Sequence, residues 1–216
     1  MSNKPIKTYS EKEERLNVLT HGFGLLLSVI ALFILIIKAS KSESNLVIIS
    51  SVIYGLSLII LYAASTFYHA AKDPNKRYKL NIFDHASIYV LIAGTYTPFT
   101  LLILEGWIGW TIFGVSWGLA LIGVVLKLFY TGKYDRISTI AYVLMGWLIV
   151  FAINPLIANL SLEGLLWLFA GGIFYTTGAV LYSIEKIKYN HAIFHIFVLA
   201  GSFSHFMAVY YHVLPK

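Results

Sequence analysis

The stretch VLTHGFGLLLSVIALFILII, residues 18–37, contains no charged side chain. A helix of about 20 mainly apolar residues is long enough to cross the ~30 Å hydrocarbon core of a bilayer. Six further runs have a similar apolar character, and none of them alternates apolar with polar residues as a transmembrane β-strand does: residues 46–70, 82–104, 107–126, 137–158, 164–184 and 191–214. The sequence therefore predicts an all-α integral membrane protein, a bundle of seven transmembrane helices.

The composition of the whole chain supports this prediction. Of the 216 residues, 58% are hydrophobic and 12% are charged, whereas average soluble domains are about 45–50% apolar and about 25% charged. A soluble core of this size could not bury so much apolar surface, and a disordered chain would need low hydrophobicity with high net charge. The absence of cysteine excludes disulfide scaffolds, thiolate catalysis, Cys-based zinc fingers and iron–sulfur clusters.

We predict one membrane domain, residues 1–216, that begins with a tail over residues 1–15, because the sequence has no low-complexity linker and no clear internal repeat. The first span is interpreted as a retained helix and not as a cleaved signal peptide. The segment before it is long and carries Glu11, Glu13 and Glu14, and the span itself contains His21. Pro98 and Pro155 fall within spans and are expected to kink them, because each removes a backbone donor.

The basic residues predict the orientation, because Lys and Arg collect in cytoplasmic loops. Three of the 16 fall on one side of the predicted spans: Lys38, Lys41 and Lys216. The other thirteen fall on the opposite side: Lys4, Lys7, Lys12, Arg15, Lys72, Lys76, Arg77, Lys79, Lys127, Lys133, Arg136, Lys186 and Lys188. This bias predicts a cytoplasmic N-terminus and an outer C-terminus. It also explains the net charge of +6 without a nucleic-acid partner, since no nucleic-acid motif accompanies it.

Polar residues of several predicted helices lie at a similar depth in the membrane. Ionisable groups inside membrane spans are costly and usually functional, and Asp84 is the only formally charged residue within the predicted spans. Residues four apart lie about 40° apart on a helix, so neighbouring polar side chains can share a face that points into the bundle. The cytoplasmic ends of helices 1, 2, 3 and 7 carry Glu14, Asn17, His21, Ser65, His69, Asp84, His85, His191 and His195.

Three of these histidines predict a metal site. His191 and His195 are spaced i, i+4, so both imidazoles can reach one ion, and His69 supplies a third nitrogen. Three protein ligands plus a water molecule form the pattern of a catalytic Zn2+ site. Asp84 could then hold or deprotonate the water. Ser65, one turn before His69, could donate a hydrogen bond to the water, to Asp84 or to a substrate.

Simpler interpretations stay open for these residues. An isolated H-x3-H pair is weak evidence for metal, and histidines at a membrane interface often only place a polar tip near the headgroups. Asp84 could pair with Lys79 or Arg77. His205, in the middle of helix 7, is expected to support the site or to hydrogen-bond across helices. Two histidines are predicted to have no role in the site: His85 and His212.

The ordered pattern of polar residues resembles the haemolysin III family, the bacterial branch of the progestin and adipoQ receptor (PAQR) superfamily. The resemblance covers about residues 14–211, and the segments GTYTPF (94–99) and YTTG (175–178) are similar as well. Three motifs carry it: Glu14-x2-Asn17-x3-His21, Ser65-x3-His69 followed by Asp84, and His191-x3-His195-x9-His205.

This resemblance implies a seven-helix bundle in the bacterial cell membrane, with zinc near its cytoplasmic side. The implied metal ligands are His69, His191 and His195. Two residues are implied in catalysis: Asp84, which contacts the metal through water, and Ser65. The first motif is implied to support the site through Glu14, Asn17 and His21. Related receptors and alkaline ceramidases suggest the hydrolysis of an amide bond in a membrane lipid.

Other functions stay open at this point. The chain could be a non-enzymatic lytic pore or a membrane-sensing or signalling protein, and the family name reflects a lytic activity. Zinc could also be structural and clamp helices 2, 3 and 7 together. Against a pore, the spans outside the polar cluster are apolar with scattered Ser and Thr and show no channel-lining pattern.

Overall fold

The computed structural model describes residues 8–104 and 106–215. All of the regular elements in these residues are helices, which confirms the predicted all-α class. In chain order they are α1 (Glu11–Ala39), α2 (Asn45–Ala70), α3 (Pro74–Leu102), α4 (Gly106–Tyr130), α5 (Asp135–Gly146), a 3₁₀ helix (Leu148–Ala152), α6 (Ile153–Asn159), α7 (Leu162–Ser183), α8 (Asn190–Ala208) and a π-helical turn (Val209–Val213). Lys4, Lys7 and Lys216, which entered the charge count, lie outside the described residues.

Six segments of the described chain are long and apolar enough to cross a membrane: Glu11–Ala39, Asn45–Ala70, Gly106–Tyr130, Asp135–Asn159, Leu162–Ser183 and Asn190–Val213. They correspond to six of the seven predicted runs. The remaining run, 82–104, falls in α3, which at 29 residues is as long as α1. Buried polar side chains such as Asp84 and Thr97 make α3 less apolar than the other six segments, so composition alone does not identify it as a span.

The distribution of side chains is the reverse of that in a soluble protein. Phe151 is 87% exposed and Trp107 is 76% exposed, whereas Asn17 is wholly buried. Soluble monomers rarely expose apolar patches larger than a few hundred Å², and large apolar residues line the outside of nearly every helix here. The outer surface therefore suits contact with lipid chains, and the polar side chains are collected inside the bundle.

Consecutive helices pack against one another, and the last helix returns to the first. α1 packs on α2, α2 on α3, α3 on α4 and α7 on α8, while α8 also contacts α1. Small residues let membrane helices approach closely, and Gly24 of α1 shows why: a Cβ there would lie 2.5 Å from the Tyr62 ring of α2. This packing brings α1, the end of α2 and the start of α8 side by side.

Short, well-capped connections fix the helix ends that meet there. After α2 ends at Ala70, the Asp73 carboxylate accepts a hydrogen bond of 2.8 Å from the Lys76 N–H and caps α3, which starts with Pro74. Proline suits the first helical turn because its missing N–H would be unpaired anyway. Before α8, the Asn190 side chain donates to the Tyr182 carbonyl at 2.9 Å. The start of α8 is thus fastened to the end of α7.

The fifth span is not one regular helix. α5 ends at Gly146, and the 3₁₀ stretch and the short α6 follow it. Pro155 has no N–H, and its ring crowds the carbonyl four residues earlier, which belongs to Phe151 of the 3₁₀ stretch. In contrast, α3 continues through Pro98 as one uninterrupted helix. The interrupted fifth span leaves Trp147 at the break, where it lines a cavity inside the bundle.

Candidate metal centre

Three buried histidines from two helices come together at one end of the bundle. His69 lies in the last turn of α2, His191 in the first turn of α8, and His195 one turn later. One ring nitrogen of each lies within 4.8 Å of the others. The i, i+4 spacing of the α8 pair and the return of α8 toward α2 produce this arrangement. The three side chains could hold one metal ion.

The closest approach is between the Nε2 atoms of His69 and His191, at 3.0 Å. Nitrogen ligands of zinc lie about 2.0–2.1 Å from the metal, which puts two tetrahedral ligands roughly 3.3 Å apart. The observed separation is therefore close to the one that a shared ion requires. Three imidazole nitrogens without a thiolate are a donor set that suits zinc, copper, iron or nickel.

The other ring nitrogen of each histidine has a partner near the start of the chain. His69 Nδ1 lies 2.6 Å from the Glu14 carboxylate, and His195 Nδ1 lies 3.2 Å from the Thr20 hydroxyl. Thr20 donates its own proton to the Leu16 carbonyl at 2.8 Å, so its oxygen can accept from His195. Histidines that bind metal usually donate the second N–H to such a group, which fixes the tautomer and the ring orientation.

His191 has its partner in the segment that precedes α1. Its Nδ1 lies 3.0 Å from the Tyr9 hydroxyl, and the two ring centroids are 4.7 Å apart. Burial raises the pKa of the Tyr9 hydroxyl well above its ordinary value, so the group stays protonated at neutral pH. A neutral phenol can accept the imidazole N–H and donate its own proton elsewhere.

Arg77 and Asn17 complete the surroundings of His69. The Arg77 guanidinium pairs with the Glu14 carboxylate and approaches the carbonyl oxygens of Tyr68 and Ala71 at 3.4 Å, where a cation suits the C-terminal end of α2. Arg77 was one of the partners considered for Asp84, and it pairs with Glu14. The Asn17 amide nitrogen is placed 3.3 Å from His69 Nδ1.

His21 lies flat against His195, with ring centroids 3.4 Å apart and an angle of 8° between the planes. Its edge meets the Tyr62 ring at 5.1 Å. Neither of its nitrogens has a hydrogen-bond partner among the residues described. His21 therefore restrains His195 by stacking, and its nitrogens are not part of the converging group.

A cavity of about 170 Å³ adjoins two of the three histidines, His191 and His195. Asp84, Ser65, His191 and His195 line one part of it. The Asp84 carboxylate lies 4.0 Å from His85 Nδ1, and it is not one of the converging ligands. The buried Ser65 hydroxyl has no partner within the described chain. The sequence-predicted Asp84 and Ser65 thus share a cavity with two of the predicted ligands.

The cavity extends along α8 to His205, which lies fourteen residues, or roughly 20 Å, from His191 and lines its other end. His205 hydrogen-bonds the Leu168 carbonyl of α7 through Nε2 at 3.1 Å. It therefore bridges two helices at a distance from the metal ligands. The walls between are mainly aliphatic and aromatic: Leu61, Ile88, Leu91, Ile92, Tyr96, Phe99, Val143, Trp147, Ile149, Leu168, Phe169, Tyr175, Phe194 and Val198.

The two histidines that were predicted to have no role in the site lie in different places. His85 Nδ1 hydrogen-bonds the Asn81 carbonyl at 2.9 Å, and the side chain also lines the cavity. His212 lies near the start of α7, with Nδ1 2.8 Å from the Ser161 hydroxyl. His212 is not among the residues that line the cavity, whereas His85 lies on its wall beside Asp84.

Sequence reasoning missed three contributors to the site. Tyr9 lies outside every span, so it could not be recognised as a polar residue within an apolar stretch. Arg77 was considered only as a loop charge and as a possible partner of Asp84. Thr20 had a usable signal, because it is three residues after Asn17 and next to His21, but a hydroxyl in a membrane helix commonly bonds its own backbone.

These features define a class before any comparison: a multi-pass integral membrane protein with a buried three-histidine site that opens on an apolar cavity. The chain belongs to the haemolysin III family, since the family described as "Haemolysin-III related" matches residues 9–206. This confirms the resemblance seen in the motifs, and it agrees with a location in the bacterial cell membrane.

Individual relatives support the same assignment. The chain is 46% identical to "Hemolysin-3" of Bacillus cereus over 204 residues, which is 94% of this chain and 93% of that protein. It is 45% identical to "Hemolysin-3 homolog" of Bacillus subtilis (strain 168), over 94% of this chain and 96% of that protein. A more distant relative is the human "Monocyte to macrophage differentiation factor", 26% identical over 92% of this chain and 83% of that protein, which fits the wider superfamily.

Proposed function

We propose that this protein is a zinc-dependent hydrolase that cleaves an amide bond in a membrane lipid. The observation that carries the proposal is the convergence of His69, His191 and His195 beside a mainly apolar cavity. Ligand sites are typically apolar cavities with a few placed polar groups. A mainly apolar cavity whose wall holds Asp84 and Ser65 beside His191 and His195 suits a lipid whose acyl chain lies among the apolar residues and whose polar bond lies at these side chains.

Zinc is the metal that best fits the donor set. Three histidine ligands with a fourth position left open are typical of catalytic zinc, and the chain has no cysteine to form a closed structural site of the thiolate kind. When bound, zinc polarises a carbonyl and lowers the pKa of water to about 7. The Nδ1 contacts of Glu14, Tyr9 and Thr20 would hold the three rings with Nε2 toward the ion.

Asp84 is proposed as the general base and acid. Its carboxylate would take a proton from water as the water oxygen adds to the carbonyl carbon. The carbon–nitrogen bond then breaks, and Asp84 returns the proton to the leaving nitrogen, giving a fatty acid and an amine. The Ser65 hydroxyl is proposed to donate a hydrogen bond to the substrate carbonyl. Its lack of a partner within the described residues supports this role.

The remaining predicted residues are proposed to support the site. Glu14 and Asn17 would hold His69 through Nδ1, and His21 would hold His195 by stacking. His205 would shape the far end of the cavity through its bond to Leu168. These contacts favour a single membrane domain in which the first helix organises residues of the second and the last.

We also propose that α3 is the seventh span and that the N-terminus is cytoplasmic. α2 and α4 are each apolar enough to cross the membrane, and only residues 71–73 separate α2 from α3. A helix of 29 residues is about 43 Å long at 1.5 Å per residue, which is enough to cross. With seven crossings, the bias of Lys and Arg favours the metal centre near the cytoplasmic face.

The test measures metal and turnover on the same purified preparations. Wild-type protein is expected to hold about one zinc per chain and to release fatty acid from a long-chain N-acyl lipid in mixed bacterial lipids. His191→Ala should lose both, whereas Asp84→Asn should keep zinc and lose turnover. His212→Ala is the matched control, because His212 does not line the cavity, and it should keep both. Retention of zinc by His191→Ala would overturn the assigned site.

A lytic, non-enzymatic function is the second candidate, and the printed name of the Bacillus cereus relative favours it. Zinc would then be structural and would clamp α2 to α8. Purified protein in liposomes that contain a trapped dye separates the two functions. Dye release that needs no zinc and produces no free fatty acid would support the lytic function. Fatty-acid release without leakage supports the hydrolase.

A further inference from the structure

One short segment at the start of the described chain contacts all three candidate ligands. Residues 9–20 supply Tyr9 to His191, Glu14 to His69 and Thr20 to His195. Each contact reaches Nδ1, so each leaves Nε2 for a ligand in the middle. Glu14 and Thr20 belong to α1, but Tyr9 precedes the helix. The surroundings of the site are therefore completed by a residue outside every span.

We propose that Tyr9 is a positioning residue for the metal centre: its hydroxyl accepts the Nδ1–H of His191 and so holds the Nε2 of that ring toward the ion. The inference rests on the proposed zinc site. It goes beyond that site because it gives Tyr9, a non-helical residue that precedes α1, a part in metal affinity.

Several contacts fix Tyr9 where this role requires it. Its hydroxyl lies 3.0 Å from His191 Nδ1, and its ring centroid is 4.7 Å from that of His191 and 5.9 Å from that of His69. The next residue, Ser10, caps α1 by accepting a hydrogen bond of 3.3 Å from the Glu13 N–H. The backbone beside Tyr9 is therefore anchored, and the ring rests on two of the three ligands.

The hydroxyl and the ring make separate contributions. The ring packs against the two imidazoles, and phenylalanine would keep that contact. The hydroxyl supplies the partner for Nδ1, and phenylalanine would remove it. Loss of an outer partner of a metal-binding histidine typically lowers metal affinity by about 10–100-fold. Tyr9→Phe should therefore weaken zinc binding without loosening the fold.

The experiment uses full-length protein in detergent and compares wild type, Tyr9→Phe, Tyr78→Phe and His191→Ala. Tyr78 is the matched control because it is 39% exposed in the first turns of α3. Zinc affinity is measured by competition with a chelator, and the ligand field by visible absorption after loading with Co2+. We expect Tyr9→Phe to bind zinc at least about tenfold more weakly and to shift the cobalt bands. The unfolding temperature of the metal-free protein should stay the same.

Different results overturn different statements. If wild type binds no zinc, or His191→Ala binds it as tightly as wild type, the proposed function fails. If wild type binds zinc, His191→Ala loses it and Tyr9→Phe matches Tyr78→Phe in affinity and cobalt spectrum, the role of Tyr9 is wrong. A lower unfolding temperature of metal-free Tyr9→Phe with an unchanged cobalt spectrum would also overturn it, since Tyr9 would then be only structural.

Discussion

The Nε2 atoms of His69 and His191 lie 3.0 Å apart, although the residues are 122 positions apart in the chain. Two imidazole nitrogens at this distance can share one proton or one cation. A single proton serves two nitrogens, but the ligand nitrogen of His195 also lies within 4.8 Å of both. The three nitrogens could together hold one cation, and the groups behind the rings would then decide how tightly it binds.

Glu14→Gln should weaken metal binding by about 10–100-fold. The Glu14 carboxylate lies 2.6 Å from His69 Nδ1 and pairs with Arg77. Glutamine at this position would remove the negative charge that faces His69 and Arg77. Chelator competition on purified protein measures the change. Glu11→Gln is the control, because its exposed pair with Arg15 is of a kind that contributes little. Equal zinc affinity in the two variants would contradict a role for Glu14 behind His69.

Ala179→Phe should reduce turnover of a long-chain lipid and leave zinc binding unchanged. Ala179 is a buried residue of α7 on the wall of the cavity, so a phenyl group there occupies space assigned to the acyl chain. The measurement compares fatty-acid release with zinc content in one preparation. Ala158→Phe, at an exposed position in α6, controls for the added ring. Full turnover by Ala179→Phe would mean that the lipid binds elsewhere.

The sequence predicted which three histidines converge, because simple geometry governs their placement. The i, i+4 pair of His191 and His195 needs only a helix, and the charge bias put His69 at the same depth. The fold class followed from uninterrupted apolar runs. Six of the seven runs are confirmed as segments that could cross a membrane, and α3 differs because its buried polar residues lower its hydropathy.

The partners of the histidines were harder to predict, because they depend on which helix faces which. Tyr9 contacts His191 although the two residues are 182 positions apart in the sequence. Neither the periodicity of hydrophobic residues nor the spacing of a motif predicts that contact. Arg77 has an ordinary loop charge in the sequence, yet it pairs with Glu14. Such contacts exist only after distant helices pack against one another, so tertiary packing and not local pattern determines them.

Gly24→Ala should destabilise the protein by about 1–3 kcal/mol, as overpacking of a close interface does. A Cβ at this position would lie 2.5 Å from the Tyr62 ring and 2.8 Å from Leu199 Cδ2. The Tyr62 ring is not free to move, since its hydroxyl donates to Ser202 at 2.8 Å. Thermal unfolding in detergent should show a lower midpoint for Gly24→Ala. Gly118→Ala, where no atom lies within 4 Å of the new Cβ, should not lower it; equal midpoints would argue against a tight α1–α2 contact.

Single cysteines should report whether α3 crosses the membrane, and the chain has no native cysteine to interfere. Three exposed positions serve: Glu43 between α1 and α2, Lys72 between α2 and α3, and Lys133 between α4 and α5. Intact cells are treated with a membrane-impermeant thiol reagent, and lysed cells give the total reactive thiol. With seven spans and a cytoplasmic N-terminus, Glu43→Cys should react from outside, whereas Lys72→Cys and Lys133→Cys should react only after lysis. If α3 did not cross the membrane, α4 would place Lys133 on the face opposite Lys72. Labelling of Lys133→Cys in intact cells, together with protection of Lys72→Cys, would therefore refute the seventh span. Labelling of Lys72→Cys and Lys133→Cys with protection of Glu43→Cys would instead keep seven spans and reverse the orientation.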